Sequence, residues 1–224
     1  MPETKNIFNK ISGHYDLLNT LFSFGIDSYW RSGLSEEVKN SDLILDIATG
    51  TAKVPLAIIK RNPRSSIIGL DPSINMLSVG SSKIKNIDNI LIIQGINEQL
   101  PFINDTFDAI TIAFGIRNTS NLKKSLEEIE RVLKPDGKLS ILEFTTPESV
   151  IFKPLFLFYF NYVMPAFGSV FGSKKEYKYL SESAAEFPQR DEFLILLREA
   201  GFISTTFRNL TLGIAAIYNG IKCS

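Results

Sequence analysis

The segment DLILDIATGTA at residues 42–52, followed closely by IIGLD at 67–71, constrains the fold of this chain more than any other feature. Each is an apolar run of strand length, and the first ends in a turn of small residues ahead of a helical pattern over 53–61. A buried strand, a Gly-containing turn at a helix start and a second buried strand ending on a carboxylate are how an open α/β sheet begins. Ligands of such sheets bind beyond the carboxyl ends of the strands. The site is therefore expected at Asp46 to Ala52, with Gly50 and Thr51 in the turn, and at Asp71. An acid one strand after the turn suits a ribose, because one carboxylate can accept from both hydroxyls at once. A dinucleotide would want G-x-G-x-x-G for its pyrophosphate, and this turn holds the single glycine Gly50. A nucleoside without pyrophosphate fits better, which points to S-adenosylmethionine; the alternative is an ordinary βα turn of some other α/β protein.

At 224 residues the chain is long enough for one α/β domain with a sizeable core, and no Pro/Gly/Ser-rich stretch divides it. Lys+Arg and Asp+Glu number 24 each, so the net charge is zero and no global field would gather nucleic acid. Cys223 is the only cysteine and His14 the only histidine. That excludes an intramolecular disulfide and a metal centre of the usual Cys/His kind, and the chemistry must run without a Ser/His or Cys/His pair. The opening MPETKNIFNK lacks the apolar core of a signal peptide, so a cytoplasmic, reducing location is expected.

Phe8, Ile11, Tyr15, Leu18 and Leu21 recur at spacings of three and four, the pattern of an amphipathic helix over 6–22 that would cover one mouth of the sheet. Short Ile-, Leu- and Phe-rich runs predict strands at 43–47, 66–70, 90–94, 107–113 and 138–143, with helices at 53–61, 73–85 and 121–133 between them. Such alternation means a parallel sheet with right-handed crossovers. A helix near 189–200 and two final strands, FISTTFRNL and GIAAIYNGIKC, complete about seven strands. The terminal strands form the only closely spaced, Gly-linked pair, so the last is expected to run antiparallel. The whole reads as a single domain, with an N-terminal helical cover over about 1–40 and a helical insertion over about 149–188.

Within that insertion, residues 149–172 leave little polar face, yet Lys153, Pro154, Asn161 and Pro165 interrupt the run. A spanning helix needs roughly 20 predominantly apolar residues, so the segment does not read as transmembrane. It is expected to be a mobile lid, with Lys174, Lys175 and Lys178 placed to meet anionic headgroups. The alternative is an insertion packed on the sheet, with the lysines solvated.

The segments FNKISGHYDLLNTLFSFGIDSYWR (8–31), DIATGTA (46–52), GLDPSINML (69–77), LPFINDTFDAITIAFGIRN (100–118), RVLKPDGKLSILEF (131–144), YKYLSESAAEFP (177–188) and GIAAIYNGIK (213–222) go further. With them the chain resembles, over nearly its whole length, the menaquinone/ubiquinone biosynthesis C-methyltransferases of the class I S-adenosylmethionine-dependent fold. DIATGTA, GLD and RVLKPDG are common to many methyltransferases; the Tyr15-Asp16 to Trp30-Arg31 block, FGIRN and the closing GIAA…GIK are far more specific. The resemblance implies a Rossmann-like sheet and methyl transfer to a ring carbon of a polyprenylated hydroquinone, either demethylmenaquinol or its ubiquinone-pathway counterpart. Peripheral membrane contact and a homodimer are compatible with it. A ring carbon ortho to a phenol is already nucleophilic once the hydroxyl begins to lose its proton, so alignment and proton removal supply most of the catalysis.

On this resemblance Asp46, Gly50, Thr51, Asp71, Pro72, Ile96, Asn97 and Ala113 are the expected cofactor residues. Tyr15, Phe114, Phe156, Phe160 and Tyr218 are expected at the acceptor, and Arg117, Asn118 and Asp16 at the chemistry. Each has a plainer alternative. Asp46 could hold the methionine amine or merely accept from backbone amides, Tyr15 could simply pack, and Arg117 with Asn118 could anchor a loop. The sequence also departs from the family pattern. Ala52-Lys53 stands for Gly-Asp, Ile96-Asn97 for an acid or amide followed by Ala, Asp136 for a glycine, and Tyr218 for a histidine. Lys53 sets a cation in the first turn of a helix, against its dipole and near a cationic sulfonium, unless it pairs with the methionine carboxylate; at least one of Lys53→Asp and Ile96→Asp, which restore the family pattern, is expected to tighten cofactor binding. These departures keep open a catalytically weak member acting as an interaction protein, and the generic motifs keep open a soluble small-molecule acceptor.

Overall fold

The computed structural model of the protein describes residues 15–164, 166 and 174–224. Residues 6–14 of the expected N-terminal helix and 167–173 of the expected lid lie outside the described residues, as do the side chains of Tyr15, Lys174, Lys175 and Lys178. Two helices, α1 (Tyr15–Phe22) and α2 (Ile26–Glu37), precede the sheet. Then β1 (Leu43–Ile47), α3 (Lys53–Arg61), β2 (Ser66–Asp71), α4 (Ile74–Ile84) and β3 (Ile90–Gln94) alternate as the apolar runs predict. They are followed by β4 (Phe107–Ala113), a short 3₁₀ turn (Ile116–Asn118), α5 (Leu122–Val132) and β5 (Leu133–Phe144). The chain closes with α6 (Phe152–Phe158), a π turn (Tyr159–Val163), α7 (Lys174–Glu186), α8 (Asp191–Glu199), β6 (Phe202–Leu210) and β7 (Ala215–Lys222).

The seven strands stand in the order β3-β2-β1-β4-β5-β7-β6. The sheet is parallel from β3 to β5, and β7 runs antiparallel to both β5 and β6, in agreement with the expectation for the last strand. Strand β5 starts at Leu133, earlier than the predicted 138, because Leu133 pairs with Phe107 before the register slips to Ala109 and Lys138. Asp136 sits in that slip at a φ of 61°, a left-handed position that Asp tolerates better than most side chains.

Period-two alternation along the strands divides the core in two. Leu45, Ile47, Ile110 and Ile112 face α5 and α8, whereas Ile44, Ile67 and Ala109 face α2 and α3 on the other side of the sheet. Strand order reverses between β1 and β4, so the crevice beyond their carboxyl ends is the topological switch point where doubly wound sheets bind ligands. Polar side chains mark it. Asp46 and Thr111 are register partners on the α2/α3 side, at the last turns of otherwise apolar strands.

Tyr218 corrects an expectation. It does not face the acceptor: it is fully buried between Phe193 and Phe207, and its hydroxyl accepts from the backbone N–H of Arg190 at 2.8 Å, ahead of α8. A large ring on the core side of a central strand has nowhere else to go, and the phenol needs the partner it finds there. Tyr218→Phe is expected to lower folding stability by about 0.5–1.5 kcal/mol and to leave cofactor affinity unchanged. Urea unfolding together with titration calorimetry checks both.

Candidate active site

The turn after β1 is held by the acid at the end of β2. Asp71 accepts from the Gly50 N–H at 2.9 Å through one carboxylate oxygen and from the Ser73 N–H at 2.8 Å through the other, so one side chain joins the β1 turn to the start of α4. Ser73 in turn caps α4, its hydroxyl accepting from the Met76 N–H at 3.2 Å. Burial pushes the Asp71 carboxyl up to about 6, against the pull of these two amides. The turn is tightly wound: Ala48, Gly50 and Ala52 all have positive φ, at 55°, 53° and 63°. Ala52 thus occupies a conformation that glycine adopts freely, and its methyl is fully buried against the α2/α3 core.

Asp46 is buried beneath this turn. One carboxylate oxygen accepts from the Thr111 hydroxyl at 2.7 Å, while the other has only the neighbouring Thr49 hydroxyl, outside good hydrogen-bond geometry. Burial raises its carboxyl to about 7, with the Thr111 and Thr49 hydroxyls and the charge of Arg31 working in the opposite direction. Two buried polar atoms left open at a strand end fit a ligand that carries donors. Pro72 lies between Asp71 and the cap Ser73, Ile96 and Asn97 are half-buried just beyond β3, and Ala113 ends β4, all on the same edge of the sheet.

A charge cluster fastens α1 and α2 over the turn. The Thr51 hydroxyl donates to Asp16 at 2.7 Å, and Asp16 is also paired with the Lys83 ammonium. The Lys53 ammonium lies 3.0 Å from Asp27 and 3.7 Å from Asp16, and Asp27 is further approached by Arg31 at 3.6 Å. Desolvation works to raise the Asp16 carboxyl, but Lys83, Thr51 and Lys53 outweigh it and hold it below the usual range, which makes it a weak base and a firm tether. Lys53 therefore has two carboxylates of its own and does not stand as a bare cation in the crevice.

On the β4 side, FGIRN wraps the crevice wall. Phe114 has a φ of 58°, and Gly115 passes so close to the turn after β1 that an added Cβ would lie 2.3 Å from the Ala48 methyl. Arg117 donates to the Phe114 carbonyl at 2.8 Å and to Glu143 at 2.5 Å, with its guanidinium 5.5 Å from the centre of the Phe144 ring. Asn118 donates to the same carbonyl at 3.3 Å and accepts from the Tyr179 hydroxyl at 3.1 Å. Both side chains thus anchor the loop. A cavity of about 380 Å³ borders Arg117 and Tyr179, but Asp46, Gly50 and Asp71 do not line it. Beside the loop the rings of Trp30, Phe114 and Phe144 form a cluster, Phe114 and Phe144 lying 4.4 Å apart. Phe160 extends it at 5.7 Å from Phe144, with Phe156 stacked 5.0 Å beyond. Trp30 is pinned by its indole N–H, which donates to the Thr211 hydroxyl at 2.7 Å. Among the described residues there is no group of three or more His, Cys, Asp or Glu side chains that could hold a metal ion.

A Thermotoga maritima S-adenosylmethionine-dependent methyltransferase, a possible histamine N-methyltransferase, shares this fold with a TM-score of 0.69 at 19% identity, covering 98% of this chain and 99% of its own. The model of the ubiE/COQ5 methyltransferase family matches residues 2–222. The chain belongs to the ubiE/COQ5 methyltransferase family. A ubiquinone/menaquinone biosynthesis C-methyltransferase of Geotalea daltonii is 44% identical over 97% of this chain and 95% of its own length. A demethylmenaquinone methyltransferase of Staphylococcus carnosus is 42% identical over 96% and 91%.

Several residues of this ubiE/COQ5 member escape a reading of the sequence alone. Thr111 was open to view as the one hydroxyl in a buried strand, AITIA, and Asp27 with Arg31 as an i,i+4 pair on a helix. Glu98 gave no local signal: its carboxylate gathers the Thr119 and Ser120 hydroxyls and the Ser120 N–H, contacts across 21 and 22 residues of sequence. Glu143 lies inside an apolar strand end, and only Arg117 explains it.

Two outcomes follow for this family member. In the folded chain Asp46 keeps its proton up to about pH 7, whereas the unfolded chain releases it near 3.8. Between those values the folded state binds more protons, so stability falls as pH rises, with a slope approaching 1.4 kcal/mol per pH unit. Asp46→Asn, neutral throughout, is expected to be more stable than the parent at pH 8 and equal to it at pH 4 when both are unfolded in urea without ligand. Lys53→Asp would set a third carboxylate against Asp16 and Asp27, reversing the expectation from the family pattern. It is expected to weaken cofactor binding and to lose about 1–3 kcal/mol of stability, measured by calorimetry and urea unfolding.

Proposed function

We infer that this methyltransferase transfers a methyl group from S-adenosylmethionine to a ring carbon of a polyprenylated hydroquinone in respiratory quinone biosynthesis. The observation that carries the reading is the aromatic cluster of Trp30, Phe114 and Phe144, set where β4 and β5 end beside the Asp46–Asp71 crevice. Flat apolar walls suit a flat apolar ring. The names of the Geotalea and Staphylococcus relatives point to the same substrate class.

The donor set suits the cofactor. The open oxygen of Asp46 and the Thr49 hydroxyl would receive the methionine amine, with Gly50 and Thr51 at the same end. Asp71 would accept from the ribose, and Pro72, Ile96, Asn97 and Ala113 would flank the adenine and sulfonium. When bound, S-adenosylmethionine supplies an electrophilic methyl group whose departure neutralises a sulfonium. On the acceptor side, the Arg117 guanidinium is fixed by Glu143 and the Phe114 carbonyl and lies over the Phe144 ring, so its charge is in place before any phenolate forms. Asn118 holds the same loop. Asp16, ionised and paired, keeps α1 over the crevice and excludes water, and Tyr15 at the head of α1 would sit beside it. Phe156 on the inward side of α6 and Phe160 in the π turn after it would meet the first isoprene units of the acceptor's tail.

If Asp46 must be ionised to hold the amine, affinity for S-adenosylhomocysteine rises with pH by up to about tenfold per unit below 7 and levels off above it. Calorimetry across pH 5 to 8.5 tests this, and a flat profile would separate Asp46 from the amine. Asp71→Ala is expected to weaken the same ligand by about 1.5–3 kcal/mol. Arg117→Lys keeps a cation for Glu143 but loses the planar fork, so turnover is expected to fall on the order of 100-fold with cofactor affinity within about twofold. Wild-type turnover in that variant at saturating hydroquinone would remove Arg117 from the mechanism.

A further inference from the structure

Two turns that border the crevice from different strands are joined by one carboxylate. After β3 the chain reverses at Ile96–Gln99, where the Gln99 N–H donates to the Ile96 carbonyl at 3.3 Å and Asn97 and Glu98 take the two central positions. After β4 the 3₁₀ turn Ile116–Asn118 ends with the Thr119 N–H donating to the Ile116 carbonyl at 3.3 Å, so Thr119 and Ser120 follow Arg117 and Asn118 directly. The Glu98 side chain spans the gap between the turns and is buried, the residue being 6% exposed. One of its oxygens accepts from the Thr119 hydroxyl at 2.7 Å and from both the hydroxyl and the N–H of Ser120 at 2.8 Å. Behind them the fully buried Ser125 hydroxyl lies 2.6 Å from that of Thr119.

Fastening two loops does not call for a charge. Three donors of one turn converge on a single oxygen, while the other oxygen is buried and lacks a partner in good hydrogen-bond geometry. Desolvation works to raise the carboxyl, but the Thr119 and Ser120 groups and the amide of Glu98 itself outweigh it and hold it below the usual range, so the charge is kept. A neutral acceptor would close the same loops without burying that charge. What ionisation adds is stiffness, since hydrogen bonds to a carboxylate are shorter and roughly twice as strong as neutral ones. We propose that Glu98 is a positioning residue that couples the cofactor site to the acceptor site, locking the turn beside the adenine to the turn that carries Arg117 and Asn118. The inference rests on the reading that sets Asn97 at the adenine and Arg117 at the acceptor. Adenine held against Asn97 fixes the adjoining carboxylate, which fixes Thr119 and Ser120. Through them it fixes the backbone from which Arg117 reaches Glu143 and the Phe114 carbonyl. The acceptor side is then aligned when the methyl donor is present.

Crossed measurements on the full chain test the proposal, each substitution being read at the site on the other turn. Thr119→Val/Ser120→Ala, on the acceptor side, is expected to weaken S-adenosylhomocysteine binding about fivefold by calorimetry, and by less than about twofold when Glu98→Gln is already present. Glu98→Gln, on the cofactor side, is expected to lower kcat for a short-tailed hydroquinone about tenfold at saturating S-adenosylmethionine, with KM for the hydroquinone within about twofold. Its loss of turnover is expected not to add to that of Arg117→Lys. Parental S-adenosylhomocysteine affinity in the Thr119/Ser120 variant, or parental kcat in Glu98→Gln, overturns the proposal. So does a fall in urea stability with both functional constants unchanged, since Glu98 would then only fasten a loop. Should Glu98→Gln fail to fold, the calorimetric shift in Thr119→Val/Ser120→Ala decides the matter alone. Failure of the parent to methylate the hydroquinone would instead refute the functional reading, and the calorimetric comparison would still decide whether the two turns are coupled.

Discussion

The carboxylate of Asp71 is the contact on which the site depends. Its two oxygens take the Gly50 and Ser73 amides, so the turn after β1, the end of β2 and the start of α4 move as one unit. Remove that bridge and two amides at buried turns lose their acceptor at once, each worth about 1–3 kcal/mol. The same bridge sets the path of Ala48 to Ala52, and through Ala48 it sets how closely Gly115 and the FGIRN loop can approach. The crevice walls on β1 and on β4 are therefore aligned by one side chain that belongs to neither strand.

That alignment works against stability. Asp46 and Asp71 are both buried deeply enough to titrate near 7 and near 6, so at neutral pH the ligand-free fold carries carboxylates it solvates poorly. Ala48, Ala52 and Phe114 add left-handed backbone where no glycine relieves it. Strain and unsatisfied polarity of this kind gather at functional sites, and here they gather on one edge of one sheet. A bound cation would relieve the poorly solvated carboxylates, which couples binding to folding.

Much of the fold was legible because the apolar runs are short, evenly spaced and separated by helical patterns, and because a strand end bearing an acid has few uses. Asp46, Gly50, Thr51 and Asp71 could be placed from two lines of sequence. Partners brought together across the fold could not. Lys53 finds Asp27 and Asp16 from 26 and 37 residues away, and without them its charge reads as a fault in the crevice. Whether Arg117 serves the chemistry or anchors its loop stays open in the sequence until Glu143, 26 residues on, is seen to hold it. Tyr218 reads as a site residue because it stands where the family pattern has a histidine, yet alternation turns its ring into the core.

The Lys53 cluster shows why the family pattern is not the only solution. An acid in the first turn of α3 would be favoured by the helix dipole by a few tenths to about 1 kcal/mol. Lysine gives that up, but it joins α3 to α1 and α2 through two carboxylates, one of them almost fully buried and otherwise met by the Ser23 hydroxyl at 3.2 Å and, as its one other cation among the described residues, by Arg31 at 3.6 Å. A buried carboxylate without a close cation loses several kcal/mol, more than the dipole offers. Given Asp27, the lysine is the better residue. Ala52 follows from the same closure: its methyl fills space beneath the tightened cover, and the left-handed backbone is tolerated because packing on every side leaves the residue no other conformation.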